Sequence, residues 1–276
     1  MSVSPQPIGV FDSGVGGLSV LKALRAELPP ENFIYIADSA HAPYGERDES
    51  YVIARAKAIT AHLISQKVKA LVIACNTATA AAIDVLRAEY PGLPIIGVEP
   101  ALKPAVALSK TGHIAVMATR STLDSAKFQA LMAAHRSLAH FTVVPCDGLA
   151  DAIERSASTP DATEIIAACA RITCRIGLFG AQKGHVDTLV LGCTHYPFAA
   201  AHLRTLVGPD VQLLDNGEAV ARQTRRQLEK AGALLASPAL AVKGNIRVFS
   251  TGQTAPLQAV ARHWLELEVT SESLYF

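Results

Sequence analysis

Short apolar runs alternate with longer amphipathic stretches along this chain. Ile8 to Phe11, Phe33 to Ala37, Ala70 to Ala74 and Pro94 to Val98 read as strands. Between them, Gly17 to Leu28, Glu49 to Lys67 and Thr79 to Glu89 carry helical spacing and many Ala, Leu, Lys and Arg residues. Such alternation predicts βαβ units, hence an α/β fold with mostly parallel sheets. The pattern then restarts. His113 to Ala118, His140 to Val144 and Asp187 to Gly192 read as strands, and Thr122 to Ala134, Thr163 to Gln182 and Pro197 to Val207 as helices.

The restart is an internal repeat. Ile8-Gly9-Val10-Phe11-Asp12-Ser13 is similar to Ile114-Ala115-Val116-Met117-Ala118-Thr119, and the run ending at Cys75 is similar to the run ending at Cys193. The two offsets differ by about a dozen residues, as loop insertions would produce. Pro100 and Pro104 mark a crossing between halves. After Pro209 come a strand at Val211 to Leu214, a helix at Glu218 to Lys230, a loop over Gly232 to Lys243, a strand at Ile246 to Ser250 and a helix at Ala255 to Leu265. This tail is expected to return to the first half. The predicted division is therefore residues 1–98 with 211–276, and residues 99–210, while Ser271 to Phe276 carry little pattern.

Composition narrows the function. Of 276 residues, 50% are apolar and 18% charged, as in a globular protein with a sizeable core. A net charge of +1 and 5% aromatic residues give no basic, aromatic-studded surface, so no nucleic-acid partner is expected. No apolar run approaches the ~20 residues of a membrane span, and Met1 to Pro7 lack a signal peptide's charged start and apolar stretch. A cytoplasmic protein with no membrane partner is the expectation. Five cysteines without dense regular spacing point to reduced thiols rather than a disulfide framework. Cys169 and Cys174 form no paired metal knuckle, so no metal is expected.

Candidate chemistry gathers where strands end. Leu71-Val72-Ile73-Ala74-Cys75-Asn76-Thr77 and Leu189-Val190-Leu191-Gly192-Cys193-Thr194-His195 read as one device built twice: a buried strand, a thiol at its C-terminal end, then polar groups at a helix start. A helix N-terminus favours the thiolate. Cys146, Cys169 and Cys174 read instead as small buried hydrophobes. His195 is placed to position the Cys193 thiol or take its proton, although a lone histidine is more often structural.

Asp12-Ser13-Gly14-Val15-Gly16-Gly17 matches neither the dinucleotide fingerprint nor the P-loop, and Asp12 puts a carboxylate where phosphate would sit. That carboxylate could hold an ammonium group, with Ser13 beside it. Asp38 to Gly45 follows the second strand on the same sheet edge and offers the Tyr44 phenol and the Gly45 backbone as a wall of the site. A Cys-His hydrolase needs one nucleophile and one base, and leaves the second thiol unexplained. Two thiols fit proton transfer at a stereocentre, with Asn76, Thr77, Thr119, Thr122 and Thr194 as small donors that stabilise developing charge.

Asp-Ser-Gly-x-Gly-Gly at Asp12 to Gly17, Pro-Tyr-Gly at Pro43 to Gly45, Cys-Asn-Thr at Cys75 to Thr77 and Gly-Cys-Thr-His-Tyr-Pro at Gly192 to Pro197 together resemble the glutamate racemases of the aspartate/glutamate racemase superfamily. The resemblance implies two similar α/β domains, pseudo-twofold related, with the active site in the cleft between them. It implies a cofactor-independent, two-base enzyme that interconverts L- and D-glutamate, feeds peptidoglycan synthesis and works as a homodimer. Cys75 and Cys193 become the alternating acid and base. Asp12, Ser13, Tyr44, Gly45, Asn76, Thr77, Thr194 and His195 become substrate contacts, and Thr119 and Thr122 match the threonines that hold a substrate carboxylate. Asp38 and His195 become partners that tune the thiols. The family carries an acidic residue after a Cys-Pro-containing strand end; here Pro145-Cys146-Asp147-Gly148 runs on to Glu154, which stays outside the core set. Aspartate or hydantoin as substrate, and a secondary protein-binding role, are the alternatives.

Overall fold

The structure, a computed structural model, describes residues 6–157, 161–235, 243–266 and 269–275. Within the expected loop over 232–243, residues 236–242 lie outside the described residues, as do residues 1–5 of the N-terminal segment and Phe276. Strands β1 (Ile8–Asp12), β2 (Phe33–Ala37), β3 (Ala70–Ile73) and β4 (Ile95–Ile96) alternate with helices α1 (Leu18–Glu27), α2 (Glu49–Ser65) and α3 (Asn76–Glu89). Next come α4 (Leu102–Leu108), β5 (His113–Ala118), α5 (Arg120–Asp124), α6 (Ala126–His135), β6 (His140–Pro145), α7 (Leu149–Ser156), α8 (Thr163–Thr173), β7 (Thr188–Leu191), α9 (Ala200–Val207) and β8 (Gln212–Leu214). The chain continues through α10 (Gly217–Lys230), β9 (Ile246–Ser250), α11 (Thr254–Leu265) and β10 (Ser271–Ser273).

These elements form two compact units: residues up to Val98 with those from Gly217 onward, and Glu99–Asn216. Among the described residues, the first holds a sheet in the order β10-β9-β2-β1-β3-β4 and the second a sheet in the order β6-β5-β7-β8. All the named strand pairs are parallel. The series β2-β1-β3-β4 and β6-β5-β7-β8 follow one wiring, which is the repeat read from the sequence. Strands β9 and β10 extend only the first sheet.

The second unit shows why its inner strands, β5 and β7, are largely apolar. Side chains alternate across a strand, and a parallel sheet is covered on both faces. Ile114, Val116 and Ala118 of β5 join a core with Leu102 and Ala105 of α4 and Phe128 of α6. Ala115 and Met117 point into the other core, with Leu149 and Ile153 of α7, Ile165 and Ile172 of α8 and Leu203 of α9. In the first unit, Phe11, Ile34, Ile36, Leu71 and Ile73 pack with Ile59 and Leu63 of α2 and Ala82 and Leu86 of α3.

Several expectations are corrected. The run at Val211 to Leu214 was expected to open the return to the first domain, but Gln212–Leu214 pair with Thr188–Val190 of β7. They are the fourth strand of the second repeat, so the first unit resumes at Gly217 rather than at residue 211. The predicted helix over Thr122 to Ala134 is interrupted at Ser125, which is extended (φ −67°, ψ 144°) and accepts a hydrogen bond at Oγ from Phe128 N (3.2 Å). The hydroxyl thus ends one helix and caps the next. The predicted helix over Thr163 to Gln182 stops at Thr173. Helices α4 and α7 were not expected, nor was strand β10 within the uninformative tail.

Candidate active site

In a parallel sheet, loops at the C-terminal ends of neighbouring strands share one edge. The registers Asp12↔Ala37, Phe11↔Ile73 and Ala37↔Ser250 place Asp12, Asp38, Cys75 and Thr251 along that edge of the first sheet. Asp12 is fully buried and accepts the Gly17 N–H at Oδ2 (2.7 Å), closing the Gly-rich turn. Tyr35 Oη donates to Gly14 O (2.6 Å) and braces the same turn. A methyl group at Gly17 would stand 2.6 Å from Asp12 Cβ and 2.8 Å from Tyr35 Oη, so this backbone approach demands glycine.

Cys75 caps α3. Its buried sulfur accepts the Ala78 N–H (3.4 Å) and lies 3.9 Å from Ser13 Oγ, to which the thiol can donate. Both the amide hydrogen bond and the helix N-terminus favour negative charge on that sulfur. Asn76 and Thr77 occupy the first turn of α3, both buried. Among the described residues, neither side-chain polar atom of Asn76 has a hydrogen-bond partner. Leaving a buried donor or acceptor unmet costs about 1–3 kcal/mol, so a polar ligand here would recover energy that the folded chain leaves unused.

Tyr44 and Gly45 form a 3-10 turn with Glu46 beyond β2. The Tyr44 hydroxyl donates to Asp38 Oδ2 (2.5 Å). Burial, the Asp38 charge and then the Cys75 thiol raise its affinity for the proton far above a free phenol's, so Tyr44 remains neutral.

The second sheet carries a matching edge. Ala118↔Pro145 and Met117↔Leu191 bring Thr119, Cys146 and the segment from Gly192 to His195 to its C-terminal side. Thr119 caps α5: its Oγ1 accepts the Thr122 N–H (3.3 Å) and donates to Thr122 Oγ1 (2.9 Å). Cys193 and Thr194 are buried. The device around Cys193 differs from that around Cys75: His195 leads into a 3-10 turn, Tyr196–Ala199, with Pro197 near its start, and α9 follows. Tyr196, which stands where Ala78 stands after Cys75, gives its N–H to the Cys193 carbonyl (3.1 Å) rather than to the sulfur, and His195 Nδ1 lies 3.8 Å from that sulfur instead. Its Nε2 lies 2.8 Å from Glu154 Oε2. Burial opposes a charge on this ring, but Cys193 and Glu154 outweigh it and hold the imidazole well above its ordinary 6.5.

Glu154, outside the core candidate set, is thus brought to His195 by α7. Its only sequence signal was an acidic residue some way past β6. Arg55 and Thr251 were missed altogether, because each meets Asp38 from a distant element. Cys146 and Cys169 are buried as expected; burial raises the Cys146 thiol strongly and pushes Cys169 up to about 11. Cys174, expected to be a buried hydrophobe, is exposed, because α8 ends beside it. Among the described residues, no group of three or more His, Cys, Asp or Glu side chains could hold a metal ion, and no helix is long and apolar enough to cross a membrane.

A family model described as Asp/Glu/Hydantoin racemase matches residues 16–224, a span that contains both thiols and His195. The chain belongs to this family of racemases, which are isomerases. The glutamate racemase of Ectopseudomonas mendocina (strain ymp) is 47% identical over 261 residues, covering 94% of this chain and 95% of that protein. Among solved structures, a glutamate racemase isoform of Bacillus anthracis aligns with a TM-score of 0.83 at 30% identity, covering 98% of this chain and 97% of that one. The Escherichia coli glutamate racemase, solved in complex with L-glutamate and the activator UDP-MurNAc-ala, aligns with a TM-score of 0.81 at 29% identity, covering 98% of each chain.

Proposed function

We propose that this protein interconverts L- and D-glutamate by proton exchange at Cα, with Cys75 and Cys193 as alternating base and acid. Inverting a stereocentre needs one group to take the α-proton from one face and a second to return a proton to the other. The observation that carries the reading is the duplicated thiol: each stands just past the third strand of its repeat, with groups beside it that favour the thiolate or manage its proton. A hydrolase would leave one of them idle. Relatives named as glutamate racemases support glutamate as the substrate.

In one direction, one thiolate removes the α-proton, negative charge spreads into the α-carboxylate, and the other thiol delivers its proton to the opposite face. The two thiols end with exchanged protonation states, ready for the reverse reaction. The chain's own groups perform both steps, with no cofactor. Asp12, Ser13, Tyr44, Gly45, Asn76, Thr77, Thr119, Thr122, Thr194 and His195 contact the substrate. The small hydroxyl and amide donors stabilise the charged intermediate, and the unpartnered amide of Asn76 supports that role. His195, held by Glu154, tunes Cys193, and Asp38 acts on the Cys75 side through Tyr44. The protein works in the cytoplasm as a homodimer, without nucleic-acid or membrane partners, and its D-glutamate enters peptidoglycan synthesis.

The test is turnover in D2O. Either enantiomer of glutamate should acquire deuterium at Cα and approach a racemic mixture; no exchange with either, in folded protein, overturns the proposal. A panel of amino acids and hydantoins followed by chiral chromatography tests the substrate, and faster turnover of aspartate or a hydantoin would replace glutamate while keeping the two-thiol chemistry.

A further inference from the structure

We infer that Arg55 and Thr251 are positioning residues for the Tyr44–Gly45 turn, acting through the Asp38 carboxylate; the inference rests on the proposed role of that turn in binding substrate. Asp38 is fully buried and, among the described residues, its carboxylate accepts four hydrogen bonds, two on each oxygen. Oδ2 receives Tyr44 Oη (2.5 Å) and Arg55 Nε (2.9 Å). Oδ1 receives Arg55 Nη2 (2.8 Å) and Thr251 Oγ1 (2.8 Å). A carboxylate offers about four acceptor positions, so this one is filled. It has no lone pair left for a thiol proton, and its influence on Cys75 runs through Tyr44.

Each partner has a distinct task. The arginine fork grips both oxygens and sets the plane of the carboxylate, which a lysine's point charge would not do. That plane aims Oδ2 at the Tyr44 hydroxyl. The phenol proton is then committed to Asp38, so Tyr44 keeps its proton beside Cys75. Thr251 holds the other end of the loop: its Oγ1 accepts the Ala40 N–H (3.2 Å) while donating to Asp38, and its own N–H donates to Ala37 O (3.0 Å). The segment from Asp38 to Gly45 is therefore pinned at Ala40 and again at Tyr44. Thr251 follows β9, a strand outside the repeat, so the C-terminal addition to the first sheet contributes directly to the order of this turn.

Steady-state kinetics and amide hydrogen exchange on the full chain test this, comparing the unmodified protein with Thr251→Val, Thr251→Ser and Arg55→Lys. Thr251→Val keeps the shape but removes the hydroxyl. It should raise KM for glutamate about tenfold with kcat changed less than about twofold, as expected when a positioning hydrogen bond is lost. Amides from Ser39 to Glu46 should exchange faster while those of β1 and β3 do not. Thr251→Ser should restore both readouts, and Arg55→Lys should resemble Thr251→Val. Unchanged KM and exchange in folded Thr251→Val, or a serine variant no better than valine, overturns the inference. Should the unmodified protein fail to racemise glutamate, the functional proposal falls, and the exchange comparison still decides whether Thr251 pins the turn.

Discussion

Glu154 Oε2 lies 2.8 Å from Nε2 of His195, whose other ring nitrogen faces the Cys193 sulfur at 3.8 Å. A charged imidazolium donates in both directions at once, to the carboxylate and to the sulfur. In the proposed mechanism the carboxylate thereby acts on the thiol through the ring.

Stability should depend on pH through this ring. Its folded-state proton affinity is raised above the ordinary 6.5, so its contribution is fully present below about that pH and is lost as pH rises through the higher folded value. Glu154→Gln removes one of the causes and should flatten this dependence. Urea unfolding across a pH series, with NMR titration of His195, checks it. An imidazole titrating at the same pH in both proteins would count against the account.

Replacing either thiol should stop net racemisation. Cys75→Ser and Cys193→Ser should each lower kcat by about a thousandfold or more, the scale of a lost general acid or base. In D2O each variant should retain α-exchange with one enantiomer only, and with opposite enantiomers for the two variants. Equal residual exchange with both enantiomers would contradict a division of labour between the sulfurs.

Asn76→Ala should separate stability from function. The amide is buried and its polar atoms have no partner among the described residues, so its loss should leave the protein as stable or more stable by about 1 kcal/mol. KM for glutamate should nonetheless rise about tenfold. Chemical denaturation and steady-state kinetics on one preparation check both, and a large destabilisation would show that Asn76 serves the fold instead.

Gly192→Ala should disturb the Cys193 strand end. The added methyl group would lie 2.7 Å from the backbone oxygen of Met117, which belongs to the central strand β5 and cannot yield like a side chain. Overpacking of this kind costs about 1–3 kcal/mol. A lowered midpoint of unfolding, with kcat reduced, is expected; unchanged unfolding and kinetics would show that the strands adjust.

The legible part of the candidate site was its placement at strand ends. Asp12, Cys75 and Cys193 each stand at or just past the end of an apolar run, and Tyr44 lies in the loop after the second strand, so their position on the C-terminal edges of the sheets could be read from local order. Glu154 was only loosely visible because α7 was not expected, and an acidic residue in a polar stretch resembles any solvated one. Arg55 read as one of several cations on a helix, and Thr251 as loop chemistry after a strand.

The division follows from physical range. Where most of the strands and longer helices fall, that the pattern repeats, and that a thiol ends a strand in each half depend on the alternation of side chains along a local backbone, so the linear order of residues determines them. Which edge an apolar run joins depends on the backbone groups left open by the other strands. Gln212–Leu214 therefore completed the second sheet, and Ile246–Ser250 took the edge of β2. Only that packing could bring Thr251 and Arg55 to Asp38, and Glu154 to His195, because a hydrogen bond acts over about 3 Å whatever the separation along the chain.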